Sequence, residues 1–227
     1  MKFTLSDRSA WLREQRRLSE EKTERLYAAF SDLQPAEMLS DLQKDFLQRF
    51  IAHLQPPLRV LDAACGAGRA WNVLLESGCQ VTGIDQSAAV VAHAVALHPR
   101  VVAARLSLQE IAWEDAFEGS LCIDAMENIF PEDWVRVLSN FYAALQPGGV
   151  FYFTLPAADP AVLEDAYRRA AALDWPVLPG ELLDEEGYRY FPALPRVRDW
   201  LLAAGFVTLA EETDGFTWHW LVQKPGP

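Results

Sequence analysis

The feature that most constrains the fold is an alternation, starting near residue 58, of short apolar runs with segments that favour helix. We predict that the apolar runs are strands at 59–62, 81–85, 101–106, 121–124 and 150–155. The segments between them predict helices at about 67–77, 87–98 and 131–145. Strands that alternate with helices in this way form a parallel sheet with helical crossovers. The sequence therefore predicts an α/β fold with a doubly wound sheet.

The N-terminal part of the chain predicts two helices. Residues 6–30 favour helix but carry only a sparse apolar stripe, which is typical of a helix that lies on the surface of another unit. A second helix is predicted from about Pro35 to residue 54, because its apolar residues recur at helical spacing. We expect residues 1–57 to form a helical cap on a core of residues 58–227.

The C-terminal part predicts a lid and an antiparallel hairpin. A helix is predicted at 159–173, and residues 175–191 after it mix prolines, acids and aromatics without clean periodicity. We expect an irregular insertion, at about 157–192, that covers a site. Asp214-Gly215 joins two β-rich runs and is a strong hairpin signal. Alternation along the second run predicts that His219 faces outward.

Composition and charge limit the partners. The chain of 227 residues has a formal net charge of −12 and no basic cluster, so its surface repels nucleic-acid phosphates and anionic membranes. Its three cysteines, Cys65, Cys79 and Cys122, have neither the spacing of metal ligands nor an even number for disulfides. No apolar stretch approaches the ~18 residues of a membrane span, and no leader is visible. We therefore expect a cytoplasmic protein with neither nucleic acid nor membrane as a partner, and the oligomeric state stays open.

Residues 60–69 combine a buried strand, a glycine-containing turn and the start of a helix. Gly66 and Gly68 let a ligand approach the backbone, and the helix N-terminus offers unpaired N–H groups to an anionic group. Further along, Asp85 ends the second strand, where a carboxylate can accept hydrogen bonds from both ribose hydroxyls of an adenosine. This combination predicts a nucleoside cofactor. A dinucleotide fold would need a third glycine at the position of Trp71, which argues against NAD.

Three segments together resemble the class I S-adenosylmethionine-dependent methyltransferases, and the resemblance covers about residues 58–222. The segments are Asp62-Ala63-Ala64-Cys65-Gly66-Ala67-Gly68, Asp85 and Leu145-Gln146-Pro147-Gly148-Gly149. The resemblance implies a Rossmann-like sheet of seven strands in the order 3-2-1-4-5-7-6 with strand 7 antiparallel. It also implies S-adenosylmethionine as the cofactor and methyl transfer as the activity, with a small molecule as the expected acceptor.

The resemblance also assigns the cofactor site residue by residue. The acid and the turn that follow the first strand are implied to hold the methionine end of the cofactor: Asp62, Cys65, Gly66 and Gly68. Asp85 is implied to bind the ribose, with Gln86 beside the adenine. Relatives often place an acid and then an apolar residue around the adenine after the third strand. This chain has Ser107 and Leu108 there, so the apolar wall is kept and the hydrogen bond to the adenine amino group is in question.

The end of the fourth predicted strand supplies the candidate catalytic groups. Asp124 lies at the edge of the sheet where doubly wound folds bind ligands, and the resemblance places it beside the methionine moiety and the acceptor. We expect in-line displacement, with catalysis mainly by positioning and exclusion of water. Where the acceptor needs deprotonation, the candidate bases are Asp124, Glu127, Tyr188 and Tyr190. Asn128 stands where many relatives carry a histidine, so no histidine base is expected.

Each of these assignments has a plain structural alternative. Asp124 can cap a helix, Glu127 can be an exposed helical residue, and the two tyrosines can simply pack the lid. We expect no metal, because the fifth strand ends at Thr154-Leu155-Pro156 and lacks the Asp-Asn pair of metal-dependent relatives. Two alternative functions stay open: a non-catalytic S-adenosylmethionine-binding protein and, disfavoured by Trp71, an NAD-linked oxidoreductase.

Overall fold

A computed structural model describes residues 5–29, 39–184 and 187–226 of the chain. The helices within these ranges are α1 (Leu5–Ala29), α2 (Asp41–His53), α3 (Trp71–Glu76), α4 (Ala88–Leu97), α5 (Trp134–Ala144), α6 (Pro160–Ala172) and α7 (Leu194–Ala204). The strands are β1 (Arg59–Ala63), β2 (Gln80–Asp85), β3 (Val102–Arg105), β4 (Phe117–Cys122), β5 (Leu145–Pro156), β6 (Glu181–Asp184), β7 (Gly187–Tyr190), β8 (Val207–Thr213) and β9 (Thr217–Gln223). Two 3-10 turns follow β3 and β4, at Leu108–Glu110 and Met126–Asn128. None of the described helices has both the length and the hydropathy needed to cross a membrane.

Seven of the described strands form one sheet in the order β3-β2-β1-β4-β5-β9-β8. The first five strands run parallel to their neighbours within that group, whereas β9 is antiparallel to both β5 and β8. β6 and β7 pair only with each other and form a separate hairpin. Without the hairpin strands the order is 3-2-1-4-5-7-6, with the seventh strand antiparallel. The predicted doubly wound, Rossmann-like fold is therefore confirmed.

Helices cover both faces of the sheet. α2, α3 and α4 pack on one face, where Phe46, Trp71 and Ala94 are fully buried. α5 and α7 pack on the other face through residues such as Trp134 and Leu201. Burial on both faces explains why the strands read as continuous apolar runs. Because β1 to β5 are parallel, their carboxyl ends meet at one edge, and the polar residues that follow them lie close together.

The start of α2 differs from the prediction. The helix begins at Asp41 and not near Pro35, a residue that lies outside the described ranges. Ser40 fixes the first turn, because its hydroxyl accepts the Gln43 N–H while the Gln43 side chain accepts the Ser40 N–H. Sequence periodicity alone does not register such a capping box.

Two boundaries in the core also differ. β4 begins at Phe117, earlier than predicted, because the buried acid Glu118 inside the strand is compensated by Arg59, with an N–O distance of 2.7 Å. α3 begins only at Trp71, because the residues before it form the turn after β1. A charged residue within a buried strand and a turn within a helical pattern both hide the true boundary.

The predicted lid region contains regular structure. α6 agrees with the helix predicted at 159–173. The prediction of an irregular segment at 175–191 is wrong for β6 and β7, which form an antiparallel pair. Tyr188 and Tyr190 lie on the same face of β7 and are buried. Each of the two strands has only four residues, which is too short for an alternation of apolar and polar residues to be recognised in the sequence. Residues 185–186, between these strands, lie outside the described ranges.

The prediction that His219 faces outward is wrong. α2 packs against β9 on the face that carries His219. Both faces of β9 are therefore covered at this position, and a side chain on either face is buried. The Nδ1 atom of His219 lies 2.9 Å from the Tyr152 hydroxyl oxygen, and its ring packs against Phe46. Burial lowers the pKa of His219, so the imidazole is neutral at pH 7.

Candidate functional site

The chain turns sharply between β1 and α3, where the glycines were predicted to form a ligand-binding turn. Gly66 and Gly68 have φ values of 55° and 79°, in the left-handed region that glycine adopts without penalty. Ala64 lies in the same region, at a φ of 55°. A side chain in that conformation normally costs about 1–2 kcal/mol. Strain of this kind persists where the surrounding structure enforces it, often at a functional site.

Trp71 lies beneath this turn and supports it. Its indole Nε1–H donates to the Asp62 carboxylate over 2.7 Å. A Cβ added at Gly68 or at Gly83 would lie within 2.5 Å or 2.4 Å of the indole ring, so both glycines make room for it. Burial raises the pKa of Asp62 to about 7, although the bond from Trp71 opposes the shift. Sequence reasoning treated Trp71 only as an obstacle to a dinucleotide and missed this supporting role.

Asp85 joins the end of β2 to the turn. One carboxylate oxygen accepts the Gly66 N–H over 3.1 Å, and the other accepts the Ser87 N–H over 3.0 Å. The backbone of Cys65 makes a second link, because its N–H donates to the carbonyl of Ile84 over 2.9 Å. Burial raises the pKa of Asp85, against the opposing effect of the two N–H groups. The structure thus brings the predicted methionine-end and ribose residues together.

A cavity of about 580 Å³, here called the α1 pocket, opens beyond Asp85. Its walls come from the ends of β2 and β3, from the segment after β4, and from α1. Gln86 and Ser107, two residues of the predicted cofactor site, line it together with Gln15 and Ser19 of α1. Gln15 was missed, although it is the one polar residue of α1 that is buried among the described side chains. A single buried polar residue on a largely exposed helix carries no sequence signal.

The residues that follow β3 occupy two different places. Leu108, predicted as an adenine wall, lies in the apolar core on the α5 side of the sheet. Ser107 stays at the pocket, where its hydroxyl donates to Glu110 over 2.7 Å. Glu110 also lines the pocket, so an acid is present near the expected position, three residues later in the chain. The Ser-x-x-Glu spacing of a capping box is the signal that could have found it.

α1 crosses the carboxyl edge of the sheet and forms one wall of the α1 pocket. At its start, Arg8 pairs with Glu181 of β6 over 2.6 Å and also with Glu132. At its middle, Arg16 pairs with Asp133 over 2.8 Å. Near its end, the Glu24 carboxylate accepts the backbone N–H of Ala88 at the start of α4 over 2.9 Å. These three contacts hold α1 against the hairpin and the core.

Tyr188 and Tyr190 anchor the hairpin. The Tyr188 hydroxyl donates to Glu181 over 2.6 Å, at the same carboxylate that pairs with Arg8. Tyr190 is 1% exposed and packs edge-to-face on Trp134. Burial raises the pKa of both tyrosines. A tyrosine that acts as a base must ionise, and these surroundings work against ionisation.

Asp124 is held by three side chains. Its carboxylate lies 2.6 Å from Arg69, accepts the Thr154 hydroxyl over 2.8 Å and accepts the Gln43 amide over 3.1 Å. Burial acts to raise the pKa of Asp124, but Arg69, with the hydrogen bonds from Thr154 and Gln43, holds the pKa below its ordinary value. Arg69 and Gln43 were missed, because they lie far from Asp124 in the sequence. The arrangement gives a fixed carboxylate with little capacity to take up a proton.

Glu127 is in the opposite situation. It lies in the 3-10 turn that packs between β5 and β7, and it is 8% exposed. Its Oε2 atom has no hydrogen-bond partner among the described residues. Burial raises the pKa of Glu127 to about 7, and the charge of Asp124 adds to the shift while Arg189 and Arg69 oppose it. Glu127 can therefore gain or lose a proton near neutral pH.

Several acidic side chains, which are potential metal ligands, lie at this edge. Among the described residues, no group of three or more histidine, cysteine, aspartate or glutamate side chains is arranged to hold a metal ion. A metal ion would need free carboxylate oxygens, but both oxygens of Asp124 already accept hydrogen bonds, one from Arg69 and the other from Thr154. Asp85 and the glycine turn can orient a nucleoside, and Glu127 can take up or release a proton.

A family model described as a methyltransferase domain matches residues 35–211. A protein of Mycolicibacterium smegmatis, named a probable S-adenosylmethionine-dependent methyltransferase, is 31% identical over 107 residues, which are 47% of this chain and 41% of that protein. The malonyl-[acyl-carrier protein] O-methyltransferase of Pectobacterium atrosepticum is 26% identical over 201 residues, or 84% of this chain and 77% of that protein. The chain therefore spans less than half the length of the first relative and most of the second.

Two solved structures have a similar fold. The 1,6-didemethyltoxoflavin-N1-methyltransferase of Burkholderia thailandensis, solved with 1,6-didemethyltoxoflavin and S-adenosylhomocysteine, has a TM-score of 0.63 at 20% identity, covering 99% of this chain and 92% of that chain. The magnesium protoporphyrin IX methyltransferase of Synechocystis PCC 6803, solved with bound SAH, has a TM-score of 0.63 at 16% identity, covering 92% and 97%. At these identities the likeness shows the fold.

The buried carboxyl of Glu127 predicts a pH-dependent stability. Its pKa is raised in the folded protein from an ordinary value of 4.5 to about 7, so its contribution is fully present below pH 4.5 and is lost as the pH rises through 7. We expect Glu127→Gln to be more stable than wild type at pH 8 by about 1–3 kcal/mol and to approach it at pH 5. Urea denaturation at both pH values measures this difference. The exposed control Glu76→Gln should match wild type at both, and a Glu127→Gln effect independent of pH would contradict the shift.

Proposed function

The chain belongs to the methyltransferase-domain family, and we propose that it transfers the methyl group of S-adenosylmethionine to a small-molecule acceptor by direct in-line displacement. The observation that carries the proposal is the bond from the Gly66 N–H to Asp85, which joins the glycine turn to the acid beside the α1 pocket. A ribose needs such a carboxylate, and a closely bound nucleoside needs such a turn. The cofactor is S-adenosylmethionine.

The residues of the site fit this cofactor. When bound, S-adenosylmethionine supplies an electrophilic methyl group on a positively charged sulfur. Four carboxyl groups lie at the carboxyl edge of β1, β2 and β4: Asp62, Asp85 and Glu127 are buried, and Asp124 is more exposed. Arg69 compensates one of them directly, which leaves an environment that favours a cation. The Asp85 carboxylate, which offers about four lone pairs, accepts backbone N–H groups of Gly66, Ser87 and Gln86, so it keeps acceptor capacity for a ribose hydroxyl.

We propose that Glu127 is the general base and that Asp124 has a positioning role. In the proposed step, an oxygen, nitrogen or carbon atom of the acceptor bonds to the methyl carbon while the bond from that carbon to sulfur breaks. The electron pair stays on sulfur, and the acceptor proton passes to Glu127. The pKa of Glu127, near 7, supports this assignment, since a base works best when its pKa is near the working pH. Asp124, held by Arg69, keeps the adjacent backbone and Thr154 in place.

Support for a small acceptor and for a cytoplasmic location comes from separate observations. The two structural neighbours are named for 1,6-didemethyltoxoflavin and magnesium protoporphyrin IX. The relative from Pectobacterium atrosepticum is named for a malonyl group on an acyl-carrier protein. The net charge of −12 disfavours nucleic acid as the acceptor. The described cysteines are buried and unpaired, which supports a reducing compartment.

We also propose that α1 and the β6–β7 hairpin form a lid on the cofactor. Arg8 links the two elements through Glu181, whose side chain is 1% exposed, so the lid closes as one unit. Gln15 and Ser19 of α1 line the α1 pocket, so a bound cofactor contacts the lid directly. The helical cap predicted at 1–57 then has two roles. α1 serves the lid, while α2 packs into the core through Phe46.

Asp85→Ala tests the ribose assignment. We expect the dissociation constant for S-adenosylhomocysteine to rise at least about tenfold, because charged hydrogen bonds of this kind contribute roughly 1.5–3 kcal/mol. Isothermal titration calorimetry on the folded variant measures it. Asp41→Ala, at an exposed acid at the start of α2, is the control and should bind as wild type does. An unchanged constant for Asp85→Ala would remove its ribose role, and a wild-type protein that does not bind would overturn the proposed function.

Glu127→Gln tests the base. We expect kcat with an acceptor found in a small-molecule library to fall by about 10²-fold or more, since a positioned base typically contributes 10²–10⁴-fold. The wild-type kcat should rise with pH as Glu127 ionises, with an inflection below the value of about 7 of the ligand-free protein because the bound cofactor is positively charged, and the variant should lack this inflection. Affinity for S-adenosylhomocysteine should stay the same within about twofold. A variant that keeps both kcat and its pH profile would exclude Glu127 as the base.

Arg8→Met tests the lid. Hydrogen exchange of α1 and the hairpin should slow when S-adenosylhomocysteine binds the wild type, because a closed lid gains protection. In Arg8→Met both segments should exchange faster, and the ligand should dissociate about tenfold faster, because the pairs to Glu181 and Glu132 are lost. Arg17→Met is the matched control, because Arg17 pairs only with Glu14 and Glu21 of its own helix among the described residues. Equal behaviour of the two variants would refute the lid.

A further inference from the structure

A second cavity of about 460 Å³, here called the α6 groove, lies where β5 ends. One wall is α6, which contributes Leu163 and Tyr167, and the other is the segment 191–194 that follows β7. Leu155 and Trp218 line it from the sheet. Among the described residues that line the groove, Glu164 is the one charged side chain. The α6 groove is therefore a concave apolar surface on a strongly acidic protein.

α6 has an unusual place in the fold. None of its described side chains is buried, whereas α5 buries five. An amphipathic helix normally covers its apolar face by packing on the core. Leu163 and Tyr167 are one helical turn apart, so they lie on the same face and both point into the groove. The helix forms a wall of the groove and leaves its apolar face accessible to a ligand.

The α6 groove and the turn that carries Glu127 share two neighbouring strands. The turn that carries Glu127 packs between β5 and β7. Both strands lead directly into the groove, β5 through Leu155 and β7 through the next residue, Phe191. The guanidinium of Arg189 lies 5.8 Å from the centre of the Phe191 ring and also acts on the charge of Glu127. Two strands and Arg189 therefore connect the surroundings of Glu127 to the groove.

We propose that the α6 groove binds the apolar part of the methyl acceptor, an alkyl chain or a ring system, while the nucleophilic atom lies beside Glu127. This inference rests on the proposed function and adds the class of acceptor to it. The volume of about 460 Å³ is within the range of small-molecule sites, roughly 300–1,000 Å³. The aromatic rings of Tyr167, Phe191 and Trp218 provide the apolar contact surface that such sites use.

A series of 4-alkylphenols, from phenol to 4-hexylphenol, tests the proposal. Calorimetry in saturating S-adenosylhomocysteine should show an affinity that rises about threefold to fourfold for each added methylene, as expected for transfer of apolar surface out of water. Leu163→Gln should reduce this gain to less than about twofold per methylene, because it places an amide in the groove wall. Val162→Gln is the matched control: it is adjacent on α6 but does not line the groove, and it should keep the wild-type slope.

The outcomes separate the two proposals. If S-adenosylhomocysteine binds but affinity does not depend on chain length, or if Leu163→Gln keeps the full slope, the groove does not hold the acceptor and the inference is overturned alone. If S-adenosylhomocysteine does not bind, the proposed function fails and the inference fails with it. Sedimentation equilibrium checks another occupant. A dimer that dissociates on Leu163→Gln, and that competes with 4-hexylphenol, would assign the groove to a second copy of the chain and overturn the inference.

Discussion

The structure depends on a single electrostatic constraint: several carboxyl groups are buried close together at the carboxyl edge of one parallel sheet. A buried carboxylate is costly unless hydrogen bonds or an opposite charge compensate it. The chain meets this requirement differently at each position. Trp71 donates to the buried Asp62 and backbone N–H groups donate to the buried Asp85, while Arg69 pairs with the more exposed Asp124. Each compensating group also fixes an element of the fold, so the site and the scaffold cannot be separated.

The lid obeys the same rule. Glu181 is almost fully buried in the hairpin, and it is compensated by Arg8 from α1 and by the hydroxyl of Tyr188. The hairpin therefore loses its compensation when α1 moves away. Because breaking a buried pair by removing one partner costs about 3–5 kcal/mol, α1 and the hairpin are strongly coupled. α1 also contacts the rest of the molecule through the Arg16–Asp133 pair, the hydrogen bond from the Ala88 N–H to Glu24 and the packing of Trp11 on Tyr188.

Sequence predicted the parts of this molecule that depend on local pattern. The order of strands and helices, the glycine turn and Asp85 follow from apolar runs and from motifs within a short stretch of chain. The parts that depend on long-range pairing were not visible. Gln43 meets Asp124 across 81 positions of sequence, and Arg8 meets Glu181 across 173. Neither partner has a periodicity or a motif that marks it.

Burial was the other quantity that the sequence did not give. A glutamate in a short helical segment is normally exposed, yet the turn that carries Glu127 is enclosed by β5 and β7. The same limitation explains His219, whose strand is covered by α2 because the N-terminal segment returns to the sheet. Whether a polar residue is buried depends on which distant element covers it, and pattern within one strand or helix does not contain that information.

Glu127 differs from the other carboxyl groups, because a proton rather than a fixed partner compensates it at neutral pH. A cation placed among these carboxyls lowers the pKa of Glu127, since an opposite charge favours the ionised form. In the proposed function, Glu127 would therefore be a carboxylate when the acceptor arrives, because bound S-adenosylmethionine would supply a positive charge that favours ionisation. Glu127 would hold the acceptor proton once that charge is gone. Burial with one carboxylate oxygen left unpaired among the described residues would in this way couple proton uptake by Glu127 to methyl transfer.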